Sequence, residues 1–278
     1  MTFFLFKHFD RLAIIALCSL LTACGGRSYS HHDGPPSEQV DVSQIPNAVP
    51  QSTTRSKYGN PKSYIVRGKR YYVMNSSAGY KERGIASWYG SKFQGKRTSS
   101  GEVYDMHKMT AAHKTLPLPT YVKVTNLKNN RHVILKVNDR GPFHENRIID
   151  LSHTAAVKLG IKATGTGLVE VEAIDPNKAQ TQLSSTSKKI IYTPNPPVSK
   201  VGLFLQLGAF VDAHNAYQLK NRANAHLNKQ QAKVSSTINN GQKFYRVRIG
   251  PLEHAEQADS LAQKLHNAGF AQPRIVIE

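Results

Sequence analysis

GIASWYG (Gly84 to Gly90), TSSGEVYD (Thr98 to Asp105), MTAAHKTLPLPTYVKVTN (Met109 to Asn126), VNDRGPF (Val137 to Phe143) and RIIDLS (Arg147 to Ser152) follow one another as short apolar stretches broken by glycine and proline. Ile85 to Tyr89, Tyr121 to Asn126, His132 to Asn138, Ile148 to Leu151 and Leu168 to Ile174 are β-branched or alternating, which predicts strands. One short helix interrupts them: Ser152 can cap it, Ala155, Ala156 and Leu159 follow at helical spacing, and Gly160 ends it. Many short strands separated by turn residues argue for a small barrel. Three side chains in the stretch are placed to move protons: Glu102, His113 and Asp139.

Each has a plain alternative. Asp139 ends an apolar strand, Val133 to Val137, and precedes Gly141-Pro142, so it stands at a loop mouth where partial desolvation would raise its pKa. Arg140 beside it can point either way, and facing Asp139 it would lower that pKa. An aspartate in NDRG wording also commonly satisfies turn backbone. His113 follows TAA and precedes a loop with Pro117 and Pro119, a placement suited to a cleft, where it could orient Asp139, share its proton or bind substrate. A lone histidine is more often a packing or surface residue. Glu102 lies in the glycine-flanked SSGE turn, where glutamates are ordinarily solvated. Asp150, before the helix, ranks as a structural residue first and a catalytic one second. Trp88 and Tyr89 offer flat faces for a ligand or for the core alike.

The chain has 278 residues and a formal net charge of +19, which falls to +18 once residues 1–23, with Lys7, Arg11 and Asp10, are removed. Residues 1–23 read as a signal peptide: Lys7 and Arg11 precede the apolar run Leu12 to Ala23, too short for a mature membrane span. Leu21, Thr22, Ala23 and Cys24 match a bacterial lipobox, with Cys24 as the lipid acceptor. Acylation at that thiol gives firm membrane attachment. Cys18 leaves with the signal peptide, so no disulfide or thiolate metal site is expected. Gly25, in place of the aspartate that marks inner-membrane retention, favours the periplasmic face of the outer membrane. In that compartment the positive charge suits lipid head groups and wall carboxylates, or solubility alone, better than nucleic acid.

Residues 24–61, rich in Ser, Pro, Gln and Asn, read as a disordered tether, with a flexible reach of roughly 30 to 36 Å. Tyr64 to Met74 alternates around Gly68-Lys69 and predicts a hairpin leading into the main domain, which is expected over 62–175. A second disordered linker is expected over 176–200. Beyond it the rhythm changes. Phe204 to Phe210, Gln231 to Ser236, Lys243 to Ile249 and Arg274 to Ile277 predict strands, and Asp212 to Asn228 and Glu253 to Ala268 predict helices, giving a ferredoxin-like βαββαβ unit over 201–278. His31-His32 fall in the tether, and His107, His113, His132, His144 and His153 show no paired metal-ligand spacing, so cofactor-free and metal-free chemistry is expected.

The five blocks quoted first, in their order, resemble the double-psi β-barrel of the rare lipoprotein A family. The resemblance implies a six-stranded barrel that acts as a lytic transglycosylase of bacterial cell-wall glycan. It implies functional roles for the residues on the matching SGE, TAAH and NDRGP positions: Glu102, His113 and Asp139. In related barrels an aspartate in the neighbourhood of Asp150 lines the groove. Trp88, Tyr89 and Arg140 join Asp150 as expected substrate contacts. LFLQLGAF and FYRVRIGPL resemble the sporulation-related repeat (SPOR) domain, whose family binds peptidoglycan strands stripped of stem peptides, and there Gln206, Tyr245, Arg246 and Arg248 are the candidate glycan contacts. Alternation puts Tyr245 with Val247 on one sheet face and Arg246 with Arg248 on the other.

The chemistry such an enzyme needs is modest. The 6-hydroxyl of muramic acid is already attached to the reacting sugar and closes on C1, so one acid that then serves as base suffices. The expectation is a fold that is mainly β plus α+β, carried by a monomeric lipoprotein enriched at the division septum and acting on denuded strands. A non-catalytic wall-binding protein is the leading rival. Nucleic-acid binding by the second domain is a weaker one, because stacking aromatics on adjacent central strands are missing.

Overall fold

A computed structural model describes residues 33–36, 40–177, 201–228 and 230–278; the expected signal peptide, Cys24 and most of the 176–200 linker lie outside them. A two-stranded hairpin, β1 (Ser63–Val66) and β2 (Lys69–Tyr72), precedes the barrel. Its turn is Arg67-Gly68, one residue earlier than expected, with φ of 50° and 76°. Two consecutive positive φ values match the right-handed twist of a tight hairpin.

Six strands close the barrel: β3 (Lys81–Trp88), β4 (Thr110–His113), β5 (Thr120–Asn126), β6 (His132–Asp139), β7 (Arg147–Leu151) and β8 (Gly167–Ala173), in the order β3-β7-β4-β6-β5-β8. The β3–β7 and β4–β6 pairs are parallel and the remaining pairs antiparallel. Inward side chains of all six strands fill the interior, among them Val122, Val124, Leu135, Val137, Ile149 and Val171, each fully buried. Helix α1 (His153–Leu159) follows β7, with Ser152 Oγ accepting from Ala155 N and Gly160 closing it at φ 74°. Ala155, Ala156 and Leu159 seal the barrel on this side.

β4 is the strand that sequence reasoning missed. Thr-Ala-Ala-His has little β propensity, yet all four residues are buried between β6 and β7. Tertiary pairing overrides propensity here, because a central strand is fixed by two neighbours and alanine lets them approach.

The tether is also shorter than expected. Ala48 N donates to Ile134 O at 3.0 Å, and Ile45 and Ala48 pack on the barrel core. Asn60 Nδ2 donates to Leu118 O at 2.8 Å and its Oδ1 accepts from Leu118 N at 2.8 Å, as a strand neighbour would. Composition averaged over the segment concealed these few anchoring residues.

The second domain has the expected order: β9 (Leu203–Phe210), α2 (Ala213–Asn224), β10 (Ala232–Asn239), β11 (Gln242–Leu252), α3 (Ala255–Asn267) and β12 (Arg274–Ile277), in a sheet ordered β10-β11-β9-β12. Ala216, Ala223, Ala258 and Leu265 bury the helices against Leu205, Val247 and Ile249 on one sheet face. Burying an aliphatic side chain of this kind contributes on the order of 2 kcal/mol.

Candidate active site

Ala112 of β4 sits between two aspartates. It is the register partner of Asp139 on parallel β6 and of Asp150 on antiparallel β7. Neighbouring strands lie about 4.8 Å apart, so the two aspartate backbones are roughly 10 Å from each other across one small residue. Both carboxylates line a recess of about 320 Å³ together with Tyr89, Arg140, Phe143 and Arg147. Gly141 follows Asp139-Arg140 at φ 141°, a conformation that residues with a side chain rarely adopt, and the chain runs on through Pro142, Phe143 and His144 along the wall of the recess.

The two aspartates are held differently. Asp139 Oδ1 accepts from Ser99 N, Ser99 Oγ and Arg140 N, each at 2.7 Å. Three donors on one oxygen fix the carboxylate plane. Asp150 accepts a hydrogen bond from Ser87 Oγ, its register partner on β3. Burial pushes the Asp150 carboxyl above its usual range, against the opposing effects of the Ser87 bond and the Arg147 charge. The side chain stays half-buried and open to the recess, so a carboxyl whose pKa is raised in this way is suited to donating a proton to a ligand there.

Arg140 does not face Asp139 with its guanidinium. Nε and Nη2 donate to Gly59 O at 2.9 and 2.7 Å, and Nη1 donates to His113 O at 3.1 Å and Leu116 O at 2.6 Å. The side chain fastens the 59–60 segment and the 113–116 loop to the floor of the site.

His113 does not meet Asp139 through its ring. Nδ1 accepts from Leu116 N at 3.0 Å and Thr115 N at 3.2 Å, which assigns the ring proton to Nε2, 2.8 Å from Tyr80 Oη. Tyr80 Oη in turn donates to Glu82 Oε2 at 2.7 Å. Burial first, then the charges of Arg140 and Lys114, push the His113 pKa down to about 3, so the ring is neutral. Its position beside Ala112 on β4 sends it to the opposite face from the two aspartates.

Glu102 stands on another flank. Its Oε1 pairs with Lys136 Nζ at 2.5 Å and its Oε2 accepts from Asn138 Nδ2 at 3.0 Å. Burial alone would raise its pKa, but the Lys136 and Asn138 contacts prevail and hold it below the usual carboxylate range. Asn138 and Asp139 both meet the 98–102 turn, Asn138 through Glu102 and Asp139 through Ser99, where β6 bulges and the register with β4 passes from Val137 to Asp139. Glu102 still governs the turn, since Thr98 N donates to Glu102 O at 2.7 Å and the same turn presents Ser99 to Asp139. The three residues expected to act together thus make three separate hydrogen-bond sets, and Asp150 stands beside Asp139 instead.

Of the two aromatics, Tyr89 lines the recess and stacks on Tyr104 at 4.2 Å, whereas Trp88 packs on the barrel core, edge-on to His153 at 5.5 Å. In the second domain Arg248 Nε donates to Gln206 Oε1 at 3.1 Å, and Arg246 Nη1 and Arg248 Nη2 both donate to Glu278 Oε1 at 2.8 Å. Tyr245 packs with the hydrophobic core on the other face, beneath Lys243, and does not join them.

Residues 81–172 match the lytic transglycolase double-psi barrel family, and residues 199–276 match the SPOR domain family. The chain is similar to the endolytic peptidoglycan transglycosylase RlpA of Pseudomonas aeruginosa PAO1, 42% identical, with 91% of this chain and 86% of that protein covered. The Vibrio cholerae protein of the same name is 36% identical over 93% of this chain and 92% of its own length. Among solved structures, the RlpA SPOR domain from Pseudomonas aeruginosa is 32% identical and covers 27% of this chain and 97% of its own, at a TM-score of 0.26.

Proposed function

This chain belongs to the RlpA family, and we propose that its barrel cuts the MurNAc-GlcNAc β-1,4 bond of peptide-free glycan, leaving 1,6-anhydromuramic ends during septal wall remodelling. It is a lytic transglycosylase with a peptidoglycan-binding SPOR domain. The observation that most supports the proposed chemistry is the pair Asp139 and Asp150 flanking Ala112 in one recess.

Asp150, whose burial favours the protonated form, gives its proton to the glycosidic oxygen as the C1–O bond breaks. The 6-hydroxyl oxygen of the same muramic residue bonds to C1, and its proton passes to the Asp150 carboxylate, restoring the acid. Asp139, its plane fixed by Ser99 and Arg140 N, faces the positive charge that develops at C1. Glu102 and His113 act as positioning residues, the first through the 98–102 turn and the second through the 113–116 loop. Arg246, Arg248 and Gln206 bind glycan on the SPOR sheet. Cys24 carries the lipid anchor of a monomer at the periplasmic face of the outer membrane.

Mass spectrometry of denuded strands incubated with the protein tests this. Anhydromuramic products are expected; reducing ends would mean hydrolysis, and no products a wall-binding protein. Asp150→Asn should abolish product while folding survives, and wild-type turnover in that variant returns the acid role to Asp139. Membrane fractionation of Cys24→Ser, with the protein released into the soluble fraction, tests the anchor.

A further inference from the structure

Three hollows on this molecule join end to end. Arg67, Phe143 and His144 line both the aspartate recess and a second hollow of about 370 Å³, whose far wall is Asp259, His266 and Gln272 of the SPOR domain. Glu145, Asn146 and Gln272 in turn line both that hollow and a third, of about 880 Å³, which runs under Gln206, Arg246, Arg248 and Arg274 on the SPOR sheet. The barrel's Lys69 and Arg83 form the opposite wall of this third part. The 143–146 loop is therefore the hinge point of one polar channel, with the aspartates at one end and the SPOR arginines at the other.

The two domains are fastened along this channel. Asn146 Nδ2 donates to Asp259 Oδ1 at 2.6 Å, His144 Nε2 lies 3.6 Å from Asp259 Oδ2, and Arg147 Nη2 lies 3.8 Å from Glu256 Oε1. Beside these contacts, Ile85 and Leu168 of the barrel are buried within the SPOR domain's own hydrophobic cluster, at 1% and 5% exposure. An apolar seal with a polar rim is how a stable interface is built.

We propose that one glycan strand occupies both domains at once, so that the SPOR domain forms the distal half of the substrate groove and feeds the strand across the 143–146 loop to Asp139 and Asp150. This rests on the lytic transglycosylase reading and deepens it. The channel carries the groups that a peptide-free strand recognises: amides of Asn146, Gln206 and Gln272 for sugar hydroxyls, and guanidinium forks of Arg67, Arg83 and Arg248 for the lactyl carboxylates. Glu278 bridges Arg246 and Arg248, the position that a lactyl carboxylate of the strand would take over. Joining two half-sites on one rigid body makes the second binding event intramolecular, so long strands gain where short fragments do not.

The test compares long denuded strands with short glycan fragments, using the full chain bearing Glu256→Arg and Asp259→Arg. Glu256 faces Arg147 and Asp259 accepts from Asn146, so the two arginines remove both contacts and set like charges against each other at Arg147, which drives the domains apart. Cleavage of long strands should fall about tenfold, to the level of short fragments, while the rate on short fragments stays within about twofold. An unchanged long-strand rate, or equal losses on both substrates, overturns the proposal. A second variant, Thr166→Cys with Glu256→Cys at an inter-domain contact outside the channel, locks the docked form on oxidation and should retain the full long-strand rate; a loss that reduction restores shows that docking closes the groove and overturns it likewise. Absence of anhydro-products from the unaltered chain on every substrate would instead count against the lyase reading.

Discussion

The aspartate recess and the arginine face of the SPOR sheet solve opposite problems. In the recess, two carboxylates are held on strands of a closed barrel, one clamped by three donors and the other half-buried and bonded to Ser87. On the SPOR sheet, the half-buried Arg246 and Arg248 line a large polar hollow and hold a carboxylate, here that of Glu278. Chemistry needs a proton whose energy is set by exclusion of water; retention needs charge that a polymer can reach. The difference teaches that the same chain builds reactivity by tuning one carboxyl inside a small recess and affinity by lining a large polar hollow with guanidinium groups.

The largest effect is expected at Asp150. Asp150→Asn should lower turnover by about 10²- to 10⁴-fold while binding to denuded strands in a sedimentation assay is unchanged. Equal losses of both would break the division of labour. Burial raises the Asp150 pKa, so its proton, and with it activity, should persist above the pH at which an ordinary carboxyl is lost and decline at higher pH.

His113 comes next. Its folded pKa, about 3, lies below the ordinary 6.5, so between these values the unfolded chain binds a proton that the folded one refuses. The stability it contributes is complete above pH 6.5 and falls as pH drops, by up to about 4 kcal/mol near pH 3. Denaturant unfolding between pH 5 and 6.5, above the titration of most carboxylates, should show this slope in the parent and lose it in His113→Asn. A slope retained in the variant would mean that the ring is not buried neutral.

On the SPOR side, Arg246→Ala with Arg248→Ala should weaken retention on denuded strands about tenfold and leave cleavage of short fragments unchanged. The smallest effect belongs to Glu102. Glu102→Gln loses a partly exposed ion pair with Lys136, worth roughly 1 kcal/mol or less, and should slow turnover several-fold through the Ser99 turn without moving the binding constant. A collapse of turnover as deep as that of Asp150→Asn would make Glu102 a participant in proton transfer.

Much of the architecture was legible in the residues. Alternation marked five of the barrel strands, Ser152 and Gly160 marked the ends of α1, and the βαββαβ rhythm of the second domain held with shifts of a few residues. The omitted strand was the informative one. Thr110 to His113 reads as a weak segment before a proline-rich loop, yet it is the strand that separates Asp139 from Asp150 and turns His113 to the other side. With β4 unread, Asp139 and His113 could be imagined as partners and Asp150 as a structural residue. The same blindness applied to residues 45–60, where isolated Ile45, Ala48 and Asn60 anchor a segment whose average composition is that of a tether.

By itself the sequence determined which segments extend or coil and which ionisable side chains stand near turns, because these follow from periodicity, capping and local propensity. Only the tertiary structure decided which of those side chains share a cavity. Barrel closure pairs strands far apart in the chain, and a shift of one residue in that pairing sends a carboxylate to the opposite face. Burial, which sets the proton affinity of Asp150 and keeps His113 neutral, exists only after that pairing is made.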